Sequence, residues 1–89
     1  MVIVEFAPSL RRHVDCPQQS VAASSLRDAL EAALVAAPAL SHYVFDDQRA
    51  IRKHVAVFIN DQMLRDRTQV DAMLVDGDRI LVIQALSGG

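Results

Sequence analysis

Glycine is scarce in this chain of 89 residues. There are three, and two of them, Gly88 and Gly89, are its last residues. Tryptophan is absent, tyrosine occurs once and phenylalanine three times, so every large apolar side chain matters to a core this small. One cysteine, Cys16, excludes an internal disulfide and fits a reducing compartment. As a nucleophile Cys16 would need a base held against it. His13, three positions away, is only a sequence neighbour, so the thiol is read as incidental. No stretch approaches the ~18 to 20 continuous apolar residues of a membrane helix, and the N-terminus lacks a charged-then-apolar signal. The expectation is a cytoplasmic protein without a membrane partner.

Charge of one sign is also missing. The net charge is -2 with the signs scattered, whereas nucleic-acid binders carry clustered basic faces. The single basic cluster, Arg11-Arg12-His13, is short and has no interleaved aromatic residue, so no nucleic-acid partner is expected. His13, His42 and His54 show no paired spacing for zinc. Asp76 and Asp78 lack the further oxygen ligands and the closing glutamate of a calcium loop. A turn is expected there and no metal.

What remains is the composition of one folded domain, 52% hydrophobic and 22% charged, with no low-complexity tract. Val2, Val4 and Phe6 alternate with Ile3 and Glu5, which predicts a strand with the first three facing inward; Pro8 ends it or confines it to an edge. Gln19 to Ala23 reads as a second strand, the return arm of a hairpin. Ser24 or Ser25 then caps a helix whose Leu26, Ala29, Leu30, Ala33 and Leu34 recur at helical spacing, with Asp28 near its positive end and Pro38 closing it. Arg27 and Glu31, four apart on the outer face, are expected to pair weakly.

Leu40, Tyr43 and Val44 suit one further helical turn, and the charged stretch from Asp46 to Lys53 has the polarity of a surface loop. Val55 to Ile59 reads as a strand followed by Asn60-Asp61 turn chemistry. Met63-Leu64 suits a brief strand, Val70 to Leu74 a connecting turn of helix, and Asp76-Gly77-Asp78 a tight turn into a last strand. The fold class is α+β, with one helix available to cover one face of one sheet. The other face is open to solvent or reserved for a partner.

The last strand, Arg79-Ile80-Leu81-Val82-Ile83-Gln84-Ala85-Leu86, runs almost directly into Ser87-Gly88-Gly89. Such an ending presents a carboxylate on a tip without side chains, free to adopt dihedrals closed to other residues. It can thread a narrow channel in a partner.

Taken in order, Phe58-Ile59-Asn60-Asp61, then Asp76-Gly77-Asp78-Arg79-Ile80-Leu81-Val82-Ile83, then Gly88-Gly89, the chain resembles the β-grasp sulfur carriers of the ThiS/MoaD type, relatives of ubiquitin. The resemblance implies a mixed four- to five-stranded sheet packed on one main helix, with residues 1–86 as the domain and 87–89 as a flexible tail. It further implies chemistry performed on the protein rather than by it. An E1-like adenylating enzyme would use ATP to activate the Gly89 carboxylate. A sulfur donor would then convert it to a thiocarboxylate, and a synthase would accept the sulfur. No catalytic residue and no bound cofactor are expected in the chain itself.

By likeness to the family, Ile80 and Val82 belong to the helix side of the last strand, so Leu81 and Ile83 point outward. The same alternation puts Val55, Val57 and Ile59 inside and Phe58 outside. Phe58, Leu81 and Ile83, with Ser87 in the tail, are therefore the expected partner-binding residues. Acceptors in cysteine, thiamin or molybdopterin biosynthesis all fit; the Arg52-Lys53-His54-Val55 entry resembles the cysteine-pathway carriers. Two alternatives stay open: the small subunit of molybdopterin synthase, and a ubiquitin-like modifier joined through Gly89 to a target lysine. Lys53 is the chain's only lysine, which limits self-linked chains to that residue and the N-terminus.

Overall fold

The computed structural model describes residues 1–7, 18–36, 38–66 and 68–84. Pro8, the Arg11-Arg12-His13 cluster, Cys16 and the expected domain boundary after residue 86 lie outside the described residues.

The alternation at the N-terminus is realised as strand β1, Val2–Phe6. Val2, Val4 and Phe6 are completely buried. The period of two places them on one face while Ile3 and Glu5 take the other. Strand β2, Gln18–Val21, starts and ends slightly earlier than its sequence suggests and runs antiparallel to β1, with Val4 opposite Gln19. Gln19 thereby falls on the helix side, where its Nε2 donates to the Ala33 carbonyl at 3.0 Å. That bond adds a side-chain donor to a carbonyl of the helix's last turn, which also accepts from the Ala36 N–H at 3.3 Å.

Helix α1, Leu26–Leu34, is capped by Ser25, whose Oγ accepts from the Asp28 N–H at 3.2 Å. Its buried stripe is Leu26, Ala29, Leu30, Ala33 and Leu34, and it packs on β1 and β2. A 3-10 turn over Pro38–Leu40 and a short helix α2, Ser41–Val44, follow. The strands β3, Val55–Ile59, β4, Gln62–Met63, and β5, Arg79–Gln84, complete one five-stranded sheet in the order β2-β1-β5-β3-β4. β5 is parallel to β1 and antiparallel to β3. This is the α+β, β-grasp arrangement: a mixed sheet with one main helix across one face.

Three expectations are corrected. Val70 to Leu74 forms no helical turn, although Val70 and Leu74 are both buried. Its backbone is committed elsewhere: the Leu26 and Arg27 N–H groups donate to the Ala72 and Val70 carbonyls at 2.9 and 2.7 Å, and the Leu74 N–H donates to the Ser24 carbonyl at 2.9 Å. The segment closes the N-terminus of α1, and the Leu74 N–H, given to Ser24, does not donate to the Val70 carbonyl as a helical turn over these residues would require. Nor is the Asp46 to Lys53 stretch wholly a surface loop. Ile51 within it is 1% exposed, pinned opposite Phe45 by a β-bridge and by the Arg52 N–H donating to the Val44 carbonyl at 2.9 Å. Arg27 and Glu31 form no pair with each other: Arg27 lies 3.6 Å from Asp71 and Glu31 pairs with Arg49. Exposed pairs of this kind contribute little to stability.

The core gathers on the helix side of the sheet. Val2, Val4, Phe6, Val57, Ile80 and Val82 meet Leu26, Leu30, Leu40, Val44 and Ile51 there. Full burial of a side chain such as Phe6 or Leu30 stabilises the fold by about 1.5–3 kcal/mol. No polar or charged residue is buried among those described. None of the described helices is long and apolar enough to cross a membrane.

Candidate functional site: an open sheet face beside the root of the tail

β5 is the middle strand of five, hydrogen-bonded on both sides. Its last residue, Gln84, stands opposite Val55 at the start of β3. Ser87, Gly88 and Gly89 lie outside the described residues. The three-residue Ser-Gly-Gly ending therefore follows two residues after the end of the best-supported strand of the sheet.

Alternation along β5 buries Ile80 and Val82 and leaves Leu81 and Ile83 partly exposed. In β3 it buries Val55 and Val57 and leaves Phe58 partly exposed, while Ile59, on the inner side, is partly buried against the core. Phe58 lies directly across from Leu81, and Ala56 directly across from Ile83. The three expected residues thus share the face turned away from α1. Each keeps part of its surface covered by its cross-strand neighbours, as pleated pairs do.

The register extends this set. Glu5 pairs with Gln18 on one side and with Leu81 on the other, and Phe58 pairs with Met63 in β4. One row, Gln18, Glu5, Leu81, Phe58 and Met63, therefore crosses all five strands on the open face. Its apolar half lies toward β4, where Met63 is 56% exposed, and its polar half toward β2. The sequence placed Met63 in a brief strand with Leu64, where the strand is Gln62–Met63, and did not mark it as a surface residue, although a signal was present. Asn60 and Asp61 both take positive φ, 50° and 71°, the geometry of a two-residue hairpin turn, and such a turn sets Met63 opposite Phe58.

Below this row, toward the N-terminal end of β5, lies a depression of about 320 Å³ lined by Ile3, Glu5, Phe58, Asn60, Arg79 and Leu81 among others. Two of its lining residues, Asn60 and Arg79, belong to a small polar network. Asn60 Nδ2 donates to Asp78 Oδ1 at 2.7 Å, the Arg79 N–H donates to Asn60 Oδ1 at 3.0 Å, and the Val75 N–H donates to Asp78 Oδ2 at 2.9 Å. The Asp78 carboxyl lies below the usual aspartate range, first because the Val75 N–H and then because the Asn60 amide hydrogen-bonds its charged form. Asp78 is thus occupied as a turn residue. Among the described residues no group of three or more His, Cys, Asp or Glu side chains could hold a metal ion.

An apolar half that grades into a polar half along one sheet face is a surface of the kind another protein can cover.

Comparison with known proteins supplies the context for this geometry. The ThiS family model matches residues 9–89. No curated protein sequence matches significantly. Among solved structures, the chain is similar to small archaeal modifier protein 1 from Methanosarcina acetivorans, at 23% identity and TM-score 0.82, covering 99% of this chain and 95% of that one. It is similar to a chain of the Amycolatopsis orientalis BexX/CysO complex, at 18% identity and TM-score 0.84, with both chains covered completely. It is also similar to Mycobacterium tuberculosis CysO, at 19% identity and TM-score 0.80, covering 97% of this chain and 100% of that one. Likeness at these identities establishes the shared β-grasp fold.

Proposed function

The chain belongs to the ThiS family of β-grasp sulfur carriers and ubiquitin-like proteins, and on that premise we propose that Gly89 is the group it puts to work. A free carboxylate is a poor electrophile, because its charge is delocalised and its leaving group would be oxide. An E1-like partner using ATP would convert it to an acyl-adenylate with release of pyrophosphate. Attack by sulfide then expels AMP and leaves a thiocarboxylate at Gly89; a persulfide sulfur instead expels AMP to give an acyl disulfide, whose S–S bond a further thiol must cleave, forming a new disulfide, to release the same thiocarboxylate. The sulfur passes on to a biosynthetic acceptor of the cysteine, thiamin or molybdopterin type. In this reading the protein supplies position and recognition, while its partners supply catalysis.

The observation that carries the reading is the placement of β5. A strand held on both sides ends at Gln84, five residues before Gly89, so a partner that docks on the sheet meets the carboxylate on a short tether with a fixed root. Phe58, Leu81 and Ile83, extended by Met63, form the docking surface, with Ser87, Gly88 and Gly89 entering the partner's channel. Two glycines fit a channel that side chains would obstruct.

A second reading, a ubiquitin-like modifier, is favoured by the likeness to small archaeal modifier protein 1. It shares the first step, activation of Gly89, and differs only in the nucleophile. Fragment-resolved mass spectrometry after incubation with ATP, sulfide and the host's activating enzyme separates the two. Exchange of one oxygen for sulfur at Gly89 supports the carrier, and an isopeptide on a second protein supports the modifier. An unmodified terminus with an enzyme shown to be active overturns both. Removal of Gly89 is expected to abolish loading without unfolding the domain.

A further inference from the structure

Only two primary amines exist in this chain, the N-terminus and Lys53, and the fold sets them at opposite ends of β5. Lys53 is exposed, in the turn that leads into β3, where the Val55 N–H donates to the Arg52 carbonyl at 3.0 Å. Val55 is the cross-strand partner of Gln84, so this turn sits beside the root of the tail. The Met1 amine is held at the other end of the strand: it pairs with Asp76, while the Gly77 N–H donates to the Met1 carbonyl.

Covalent geometry decides which amine the tail can meet. Paired Cα atoms in an antiparallel ladder lie about 5 Å apart. Two further residues add less than about 8 Å, so the Lys53 Cα lies within about 13 Å of the Gln84 Cα. The five residues after Gln84 span up to about 17 Å, before the lysine side chain adds its own reach. Ile3, by contrast, is level with Arg79, about 17 Å from Gln84 along the strand, and Met1 lies two residues beyond it. Lys53 is within reach in the same molecule and Met1 is not.

We propose that Lys53 is a modification site: the acceptor, within its own chain, of an activated Gly89. Its neutral Nζ attacks the Gly89 carbonyl carbon and a C–N bond forms. The bond to AMP or to another leaving group breaks with its electron pair, and the nitrogen gives its extra proton to water. The product is a ring closed by an isopeptide bond, one water lighter than the free chain, with no carboxylate left to carry sulfur. Outside the partner's channel an activated Gly89 therefore faces an amine presented at the high effective concentration of a short tether, and sulfur loading must be complete before the tail leaves. The inference rests on the activation of Gly89 proposed above, and ring closure withdraws the chain from the carrier pool.

The test supplies the activated terminus without an enzyme, so that its failure is distinct from failure of the sulfur-carrier reading. The full chain, with Cys16→Ser to prevent thiol exchange, is prepared by intein cleavage with Gly89 as a thioester. It is then incubated at mildly alkaline pH and digested. The expected result is a branched peptide joining Lys53 to Gly89, in a yield unchanged by about tenfold dilution and absent in Lys53→Arg. In concentrated urea the closure should slow by about tenfold, because the loop to be closed then contains the whole chain between the two residues. Hydrolysis without a branched peptide, a yield that falls on dilution, a link to Met1, or an unchanged rate in urea would each overturn the proposal.

Discussion

Asn60 and Asp78, eighteen residues apart in sequence, are joined by a 2.7 Å hydrogen bond that closes one end of the β3–β5 pair. The Asn60 amide faces both ways across the gap, donating to Asp78 and accepting from the Arg79 N–H, while its backbone N–H donates to the Arg79 carbonyl at 2.9 Å. Two turns that the sequence presents as separate are one structural unit. Asn60→Ala is expected to lower Tm by a few degrees, measured by thermal unfolding at neutral pH.

The same network makes a pH prediction. Asp78 has its pKa depressed in the folded chain by the Val75 N–H and the Asn60 amide. Its stabilising contribution is fully present above the pKa of an unfolded aspartate, about 3.9, and is lost as pH falls through the lower folded value. Asp78→Asn should therefore destabilise at pH 7 and flatten the loss of stability below about pH 4. Urea titrations at both pH values measure this; an unchanged acid limb would remove Asp78 from the account.

Gly77 tests backbone against space. A β-carbon there would meet nothing within 4 Å, yet φ is +93°, a conformation L side chains rarely adopt. Gly77→Ala should cost about 1–2 kcal/mol in chemical denaturation, and Gly77→Asn less, since asparagine tolerates positive φ better.

The two faces of the sheet should separate binding from folding. Phe58→Asp on the open face is expected to raise the Kd for the activating partner at least about tenfold, a loss of about 1.4 kcal/mol, with a small change in Tm. Ile80→Ala on the inner face, 1% exposed, should cost about 2–5 kcal/mol of stability and leave the docking surface intact. Calorimetric titration and thermal melts of both variants measure the contrast.

Ile51 gives a further contrast. Ile51→Ala should cost about 2–5 kcal/mol, whereas Asp47→Ala in the same stretch should change stability by less than about 0.5 kcal/mol. Equal effects would show that the stretch packs as a surface loop after all.

Much of this architecture was legible where one residue type answers to one physical demand. The alternation of Val2, Val4 and Phe6, the Ser25 cap, and the turns at Asn60-Asp61 and Asp76-Gly77-Asp78 each depend on neighbours a few residues away. What was not legible depends on distant backbone. Val70 and Leu74 have the spacing of one helical turn, and only the position of the α1 N-terminus shows why their segment forms no helix. Ile51 lies among charges, and only the bridge to Phe45 draws it inside. Arg27 and Glu31 are neighbours on α1, but Asp71 and Arg49 approach from other parts of the chain. For the open face, strand parity was enough to place Phe58, Leu81 and Ile83, while Met63 required the hairpin register.

The central position of β5 also determines how the molecule bears load. When a partner grips the terminus and pulls, tension enters along the strand axis, between the parallel ladder to β1 and the antiparallel ladder to β3. Both rows of hydrogen bonds are then loaded in shear and must rupture together, whereas a tail on an edge strand could be peeled away one bond at a time. The fold is a mechanical anchor for its own last residue.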